Sequence, residues 1–394
     1  GVALGFWGIA AAASVSFGPL IGGYLIDNIS WQAIFDVNVP VGIFAMLATF
    51  IIQREYKTEN SRSFDLTGFL SMGVFLCSLL IALADANASW NIGGWTSPFI
   101  LTCFGVSIVG LIVFLFTEFR TEHPLIELRL FKNYNFGIAS VTLFIFGLGM
   151  FGSTFILPLY LQNSLSYTAL QAGAVFLPVG IIQAFISPIA GMTADKINPK
   201  IPAIIGISLM AFSMYLNSFQ SLFSEHLQIM IPLIIRGIGM GLMFTPLSTI
   251  SLAEIPREKM AQASGLFNVV RQIGGSFGVA ILSTILTQRT TFHSTIYSQS
   301  IPKTSLLFQR TVQGFQSFIQ HAGGGPIFNL ALQMDNVTLK AETMIGQYLA
   351  KQAFVHAVND VFLVTTCITI AGLIPIFFLK NSKKTKTAKA TRLG

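Results

Sequence analysis

Long apolar segments separated by short polar connections fill most of this sequence. Each segment holds about 20 mostly apolar residues, the length that an α-helix needs to cross the hydrocarbon core of a membrane. Strict alternation of apolar and polar residues, which marks the strands of a membrane barrel, is absent. The pattern therefore predicts ten transmembrane helices, at 3–26, 37–53, 66–84, 98–117, 136–160, 170–192, 201–219, 228–250, 263–286 and 357–379.

Composition narrows the class of protein further. Hydrophobic residues make up 53% of the 394 positions and charged residues only 10%, whereas a soluble domain has about 25% charged residues. A chain with so few charges cannot cover a water-facing surface, which excludes a soluble enzyme, a coiled coil and a disordered protein. The three cysteines all lie inside apolar segments, so they predict neither a disulfide framework nor a metal site.

The basic residues predict the orientation of the helices. Sixteen Lys and Arg lie in 54–65, 118–135, 193–200, 251–262 and the C-terminal tail, and none lies in the alternate connections 27–36, 85–97, 161–169 and 220–227. Short cytoplasmic loops carry the excess of Lys and Arg. We therefore expect a multi-pass membrane protein with a cytoplasmic C-terminus. The net charge of +7 follows from these loops and does not indicate nucleic-acid binding.

The first segment carries small residues and a proline at regular spacing. Positions 14, 18 and 22 are four apart, so they predict one smooth face that a second helix can approach closely. Pro19 removes one helix hydrogen bond and allows a bend. Ordinary helix packing is the alternative interpretation. Further along, Trp31, Phe35 and the run 38–42 follow. The whole run resembles the antiporter motif of the major facilitator superfamily, carried here by Ser14, Gly18, Pro19, Gly22 and Gly23.

The resemblance is to the fourteen-helix drug:proton antiporters of the EmrB/QacA type, in which this motif lies on the fifth helix. It implies an all-α polytopic membrane protein with the major facilitator fold, whose ten segments are helices five to fourteen of a parent with four more helices before Gly1. Residues 1–53 would be the last two helices of the N-terminal half, 54–135 two inserted central helices, and 136–394 the complete C-terminal half. The last part includes a long external loop, 287–356, which we expect to be partly helical around Leu330–Leu349.

A second motif lies between the sixth and seventh segments. Gly191, Asp195 and Lys196 resemble the cytoplasmic loop of the superfamily in which an acid and a base clamp helix ends in one conformation. Asn198 stands where the family has glycine, so the turn differs. A solvated loop that merely obeys the charge rule is the alternative interpretation.

Two arginines lie within membrane segments. Arg236 is about 12 Å below the external edge, at 1.5 Å per residue, and a charge near the middle of the bilayer costs on the order of 2.5–3.5 kcal/mol. We therefore expect it to face the bundle interior. By resemblance it is the echo of an arginine motif tied to proton transfer; a purely structural role is the alternative. Arg271 lies at similar depth from the other side, with Asn268 and Gln272 as neighbours in a cavity or coupling network, unless its side chain extends to the interface.

No acidic residue lies at mid-depth of any segment, although proton coupling normally uses such an acid. The best-known acids of the family lie in its first helices. Asp360, which we expect to pair with His356 four residues before it, is the remaining coupling candidate, and a hydrated interfacial pair is the competing interpretation. Aromatic side chains of the fifth segment are candidates for the substrate cavity: Phe144, Phe151 and Phe155.

These observations predict a proton-coupled multidrug efflux antiporter that uses the proton gradient and needs no metal or other cofactor. Its partners would be membrane lipid and small amphipathic drug-like substrates, and the resemblance implies a periplasmic adaptor and an outer-membrane channel in a Gram-negative host. Two alternatives stay open: an exporter of one metabolite or siderophore with the same fold, and a non-transporting membrane remnant or scaffold. The sequence has no catalytic motif such as HExxH or a phosphate-binding glycine loop, so we expect no enzyme.

Overall fold

The computed structural model describes residues 16–52, 65–86, 88, 90–121, 126–196, 198–256, 259–300, 308–314, 317 and 330–380, without the side chains of Asp195 and of 330–341. Within these ranges the regular structure is helical and contains no strand. The main helices are α1 (16–28), α2 (Asn38–Ile52), α3 (Leu66–Asp85), α4 (Pro98–Arg120), α5 (Tyr134–Leu165), α6 (Leu177–Lys196), α7 (Lys200–Asn217), α8 (His226–Leu252), α9 (Met260–Ser300) and α10 (Leu330–Ala371).

Short helices adjoin three of these: Ala33–Asp36 precedes α2, Ala169–Ala174 precedes α6, and Leu373–Phe378 follows α10. In the described ranges, nine helices are long and apolar enough to cross a membrane. They correspond to nine of the ten predicted segments, and only the second part of the first segment, α1, is described. The prediction of an all-α polytopic membrane protein is confirmed.

Polar side chains fix several helix starts next to the membrane. The Ser97 hydroxyl accepts a hydrogen bond from the Ile100 N–H at the start of α4, and the Asn133 side chain accepts one from the Phe136 N–H at the start of α5. These caps satisfy backbone N–H groups that have no partner in the first turn of a helix. The predicted segment boundaries therefore agree with the observed ones to within a few residues at most positions.

The largest differences are at α9 and α10. The last two segments were predicted to end at 286 and to begin at 357, but α9 continues to Ser300 and α10 begins at Leu330. A helix of 41 residues is about 60 Å long, twice the roughly 30 Å of the hydrocarbon core. Much of 287–356 is thus helix, including the predicted 330–349, because the apolar pattern ends where the bilayer ends and not where the helix ends.

Helices α5 to α10 pack around one continuous apolar core. Glycines on α9 bring its backbone against α5, since a Cβ on Gly274 would overlap the Phe144 carbonyl group and one on Gly278 would overlap that of Leu148. The small-residue face of α9 is therefore a packing surface against α5. On the outside, large apolar side chains such as Phe185 and Phe212 are exposed for contact with lipid.

The helices before this bundle contact it less extensively. Helices α3 and α4 pair through Gly110, which lies against the Phe75 backbone, and the Trp95 indole N–H donates to the Thr284 hydroxyl of α9 at 3.2 Å. Helix α1 contacts the chain before α6, including the short helix Ala169–Ala174. Helix α2 has no buried residue in the described part of the chain. The proposed division at 53 and 135 stays a prediction.

Candidate transport site

The antiporter-motif helix α1 meets the chain between α5 and α6. The Ser16 hydroxyl donates to the Phe176 carbonyl at 3.1 Å, a Cβ on Gly23 would overlap the Ala169 carbonyl group, and one on Gly173 would overlap the carbonyl of Pro19. The described close contacts of α1 thus involve two predicted motif residues, Pro19 and Gly23, and the role of the face formed by positions 14, 18 and 22 stays a prediction. No described atom lies within 4 Å of a Cβ placed on Gly18 or Gly22, and Ser14 lies outside the described residues.

An acidic side chain closes the same contact. The Asp27 carboxylate accepts hydrogen bonds from the Leu170 N–H at 2.7 Å and the Ala169 N–H at 3.3 Å. These bonds, the Leu170 bond first, lower the pKa of the Asp27 carboxyl below its usual value. Such a carboxylate satisfies N–H groups at a helix start and interacts favourably with the helix dipole. Asp27 was not among the predicted site residues, although its position after the motif could have indicated it.

The predicted cytoplasmic gating loop is part of a helix. Gly191 is buried in the last turns of α6, and Lys196 is the exposed last residue of that helix. The side chain of Asp195 lies outside the described residues. Asn198, which replaces the family glycine, accepts a hydrogen bond from the Lys200 N–H at 3.1 Å and so begins α7. The gating role of this segment stays a prediction.

Arg236 lies inside the bundle, as the cost of a charge facing lipid predicts. Its side chain donates from one Nη atom to the Met150 carbonyl at 3.0 Å and to the Thr154 hydroxyl, and only 3% of the residue is exposed. Among the described residues no carboxylate lies within ion-pair distance of it. Arg236 therefore ties α8 to α5 through a carbonyl and a hydroxyl.

A cavity of about 650 Å³ lies between α3, α5 and α9. Two of the predicted aromatic residues, Phe151 and Phe155, line it together with Gln272. Phe144 does not; its ring lies against that of Phe277, 6.1 Å between centroids. The other lining residues are mainly aliphatic, except for a polar row on α9 that sequence reasoning missed: Ser276, Ser283 and Thr287.

A second cavity, also about 650 Å³, lies between α8 and α9 near their connection, and Asn268 lines it with Phe244. Arg271 lines neither cavity but lies near one aromatic ring from each. Its guanidinium carbon is 6.0 Å from the centroid of the Phe151 ring and 5.5 Å from that of Phe244, and one Nη donates to the Asn268 side chain at 3.3 Å. The predicted grouping of Asn268, Arg271 and Gln272 is thus spread over two adjoining cavities.

The predicted pairing of Asp360 with His356 is wrong. The Asp360 carboxylate binds two side chains of α9, the Arg289 Nε at 2.6 Å and the His293 Nε2 at 2.7 Å. The His356 ring lies near the Gln352 side chain, with 3.2 Å between their Nε2 atoms. Arg289 and His293 are four residues apart, a helical spacing that could have indicated them, but they fall in the stretch that was expected to be a loop.

A second missed cluster joins three helix ends at the opposite side of the bundle. The Glu254 carboxylate after α8 accepts hydrogen bonds from the side chains of Asn133 and Asn135 at 3.2 and 3.1 Å. The Asn135 side chain also accepts from the Lys380 N–H at 2.8 Å. These bonds hold the start of α5, the end of α8 and the chain after the short helix Leu373–Phe378 together at the side that the charge pattern predicts to be cytoplasmic.

Comparison with known proteins decides the family. Residues 1–279 match the sequence pattern of the Major Facilitator Superfamily. The chain belongs to the major facilitator superfamily. It is therefore a multi-pass membrane transporter and not an enzyme.

Three relatives illustrate the similarity. The MFS-type transporter YhcA of Bacillus subtilis is 29% identical over 99% of this chain and 71% of its own length. The multidrug export protein EmrB of Escherichia coli is 28% identical over 96% of this chain and 71% of its own. The multidrug resistance protein Stp of Mycobacterium tuberculosis is 29% identical over 72% and 52%. The chain thus spans between about half and seven tenths of these relatives, which confirm the resemblance to EmrB-type proteins.

Proposed function

We propose that this protein exports small amphipathic, drug-like molecules across a bacterial inner membrane in exchange for protons. Family membership supports transport, and the names of EmrB and Stp, a multidrug export and a multidrug resistance protein, support the kind of cargo. An exporter of one metabolite or siderophore, and a non-transporting scaffold, remain the rival functions.

The observation that carries the proposal is the cavity between α3, α5 and α9. Its volume of about 650 Å³ lies in the range of pockets that enclose drug-sized molecules. Aliphatic and aromatic walls, with the hydroxyl and amide groups of α9 on one side, suit compounds that share amphipathic character more than one exact shape. Phe151 and Phe155 offer ring faces for stacking on an aromatic cargo.

Arg236 is the coupling residue of this proposal. Its hydrogen bonds to the Met150 carbonyl and the Thr154 hydroxyl link α8 to α5 without a described carboxylate partner. A buried charge held by neutral groups responds strongly to any charge that arrives near it, because the membrane interior screens little. Protonation or deprotonation of an acidic group that approaches Arg236 during transport would therefore shift the contact between these two helices. Arg271 and Asp360 are the further coupling candidates.

The proposed partners follow from the helical extensions. Helices α9 and α10 extend beyond the length of a membrane span, on the side predicted to be external. Similarity to EmrB of Escherichia coli supports a periplasmic adaptor and an outer-membrane channel in a Gram-negative host, with this extension as the docking element.

The predicted four helices before Gly1 are tested by reading the coding sequence upstream of it.

Dye efflux from cells tests the proposal. Cells that express the protein should retain less of a fluorescent amphipathic dye than cells without it, and a protonophore should abolish the difference. Phe155→Ala should weaken efflux because Phe155 lines the cavity, whereas Phe185→Ala should not, since Phe185 is 73% exposed on the outside of α6. Export of a single metabolite only would favour the first rival, and no export of any compound would favour the scaffold.

A substitution at Arg236 separates coupling from packing. We expect Arg236→Met to leave thermal stability unchanged or higher, because burying a charge without an ion partner costs free energy that an apolar side chain of similar size does not. Proton-driven efflux should nevertheless fall to background. A simultaneous loss of stability and efflux would contradict the coupling role and leave Arg236 as a packing residue.

A further inference from the structure

Arg271 has hydrogen-bonding capacity that the described protein does not use. A guanidinium group carries five N–H donors, but Arg271 makes one hydrogen bond, to the Asn268 side chain. Its Nε is buried and has no hydrogen-bond partner. A buried donor without a partner costs about 1–3 kcal/mol, more when it is charged, so this group is suited to receive an acceptor.

The unused N–H donors of Arg271 lie near the two cavities. The guanidinium lies between the rings of Phe151 and Phe244, each of which lines one of the two cavities. Its helix neighbours Asn268 and Gln272 likewise line one cavity each. Arg271 itself lines neither cavity, and its guanidinium carbon is 6.0 Å from the centroid of the Phe151 ring, which separates it from the α3–α5–α9 cavity.

The charge of the surroundings selects the sign of the ligand. No residue lining either of these two cavities is acidic, and in the described ranges no carboxylate lies within ion-pair distance of Arg271. An anionic group would gain charge-assisted, bidentate hydrogen bonds from the guanidinium, whereas the Asn268 amide nitrogen already donates to the Ser264 carbonyl at 3.1 Å. A lipophilic cation would meet an uncompensated positive charge in a weakly screening environment.

The other buried or clustered cations of the described region do not offer such a site. Arg236 is 3% exposed and already bonded to α5. Arg289 is paired with Asp360 at 2.6 Å. Arg271 differs from Arg236 because its buried Nε has no hydrogen-bond partner, and from Arg289 because no described carboxylate lies within ion-pair distance of it.

We propose that Arg271 binds the anionic group of amphipathic substrates whose apolar body occupies the cavity between α3, α5 and α9. The substrate class is therefore hydrophobic monoanions, such as aromatic carboxylates and sulfonates, in preference to lipophilic cations. This inference rests on the proposed export function, because it assigns a ligand class to the same cavity.

Two fluorescent probes that differ by one charged group test the proposal. The anion 8-anilinonaphthalene-1-sulfonate and the neutral N-phenyl-1-naphthylamine share their aromatic body and differ by the sulfonate. Their binding would be measured with the purified protein in lipid nanodiscs, against empty nanodiscs, for the wild type, Arg271→Gln and Arg271→Lys. Arg120→Gln, a change at an exposed arginine over the Phe116 ring of α4, is the matched control.

We expect Arg271→Gln to weaken binding of the anionic probe about tenfold or more, the usual effect of losing a hydrogen bond to a charged group, and to leave the neutral probe unchanged. Arg271→Lys should retain part of the anion binding, and Arg120→Gln all of it. Tetraphenylborate should compete better than its cationic counterpart tetraphenylphosphonium in the wild type only. Neutral-probe binding that persists in Arg271→Gln shows that the variant folds.

Two results would overturn the proposal: equal loss of both probes in Arg271→Gln, which means that Arg271 only supports the cavity, or no loss of either. These results are separable from failure of the export function. If cells export neutral dyes but Arg271→Gln does not discriminate between the probes, the function stands and the anion site is wrong. If nanodiscs show the charge-selective loss but no cell exports any compound, the site stands and the export function is wrong.

Discussion

Gly23 and Gly22 are neighbours in sequence, but only Gly23 lacks room for a larger side chain. A Cβ on Gly23 would overlap the Ala169 carbonyl group, whereas the space around Gly22 holds no described atom within 4 Å. The motif could be recognised from the sequence, but the residue that makes the contact could not. Helical spacing is compatible with several contact faces on α1. Which face makes the contact depends on where the short helix Ala169–Ala174 packs, and the sequence does not give that position.

Substitution at these two glycines provides a matched test. We expect Gly23→Val to destabilise the contact between α1 and the short helix Ala169–Ala174 by about 1–3 kcal/mol, the usual effect of overpacking, and to reduce transport. Gly22→Val should behave like the wild type. Thermal unfolding and dye efflux of both variants would check this. A larger loss of stability or efflux in Gly22→Val than in Gly23→Val would contradict the assignment of the contact to Gly23.

The Asp27 carboxyl makes the same contact sensitive to acid. Because its pKa is lowered in the folded state, its contribution to stability is present above the pKa of the unfolded chain, near 3.8, and is lost as the pH falls through the lower folded-state pKa. We expect hydrogen exchange of the Leu170 amide, compared with Asp27→Asn at each pH, to lose its protection only in that acidic range. Equal exchange in both proteins at neutral pH would exclude this role for Asp27.

At the scale of elements, the positions of the helices could be predicted and their lengths could not. Hydropathy locates α3 to α8 because the bilayer imposes an apolar length on every span. The outer parts of α9 and α10 are polar, so they resemble a loop, although their residues continue the helices to Ser300 and from Leu330. The same error hid the true partners of Asp360, which lie on the outer part of α9.

The ion pairs of Asp360 should stabilise the outer parts of α9 and α10 against each other. We expect Asp360→Asn to lower the free energy of local opening by about 1 kcal/mol, since the group is partly exposed and solvent screens the pair. Hydrogen exchange in 287–300 and 350–360 should become faster. His356→Gln serves as the control because His356 does not bind Asp360; an equal effect of both variants would contradict the assignment.

At the scale of the whole molecule, the charge asymmetry predicts which end faces the cytoplasm. The cluster around Glu254 lies on the side of the bundle whose loops are basic. The contact between α1 and the short helix Ala169–Ala174 lies on the opposite side. The core of the C-terminal bundle could be anticipated from the apolar segments. The cavities could not, because they depend on how α3 sits against α5 and α9.

Thiol labelling checks the sidedness. In a variant without Cys77, Cys103 and Cys367, we expect Phe223→Cys to react with a membrane-impermeant maleimide in intact cells, since Phe223 is exposed between α7 and α8. Lys132→Cys, exposed before α5, should react only after the membrane is opened. The reverse pattern would invert the orientation and contradict the charge rule for this chain.

Helix α9 connects the cavity to the region outside the membrane without a break. One helix carries Gln272 and Ser276 at the cavity and continues without interruption to Ser300, about 36 Å farther along its axis. If this helix tilted as a rigid body by about 5° at the cavity, its outer end would move by about 3 Å. A change at a site within the membrane would then be detectable as a movement in the water beyond it.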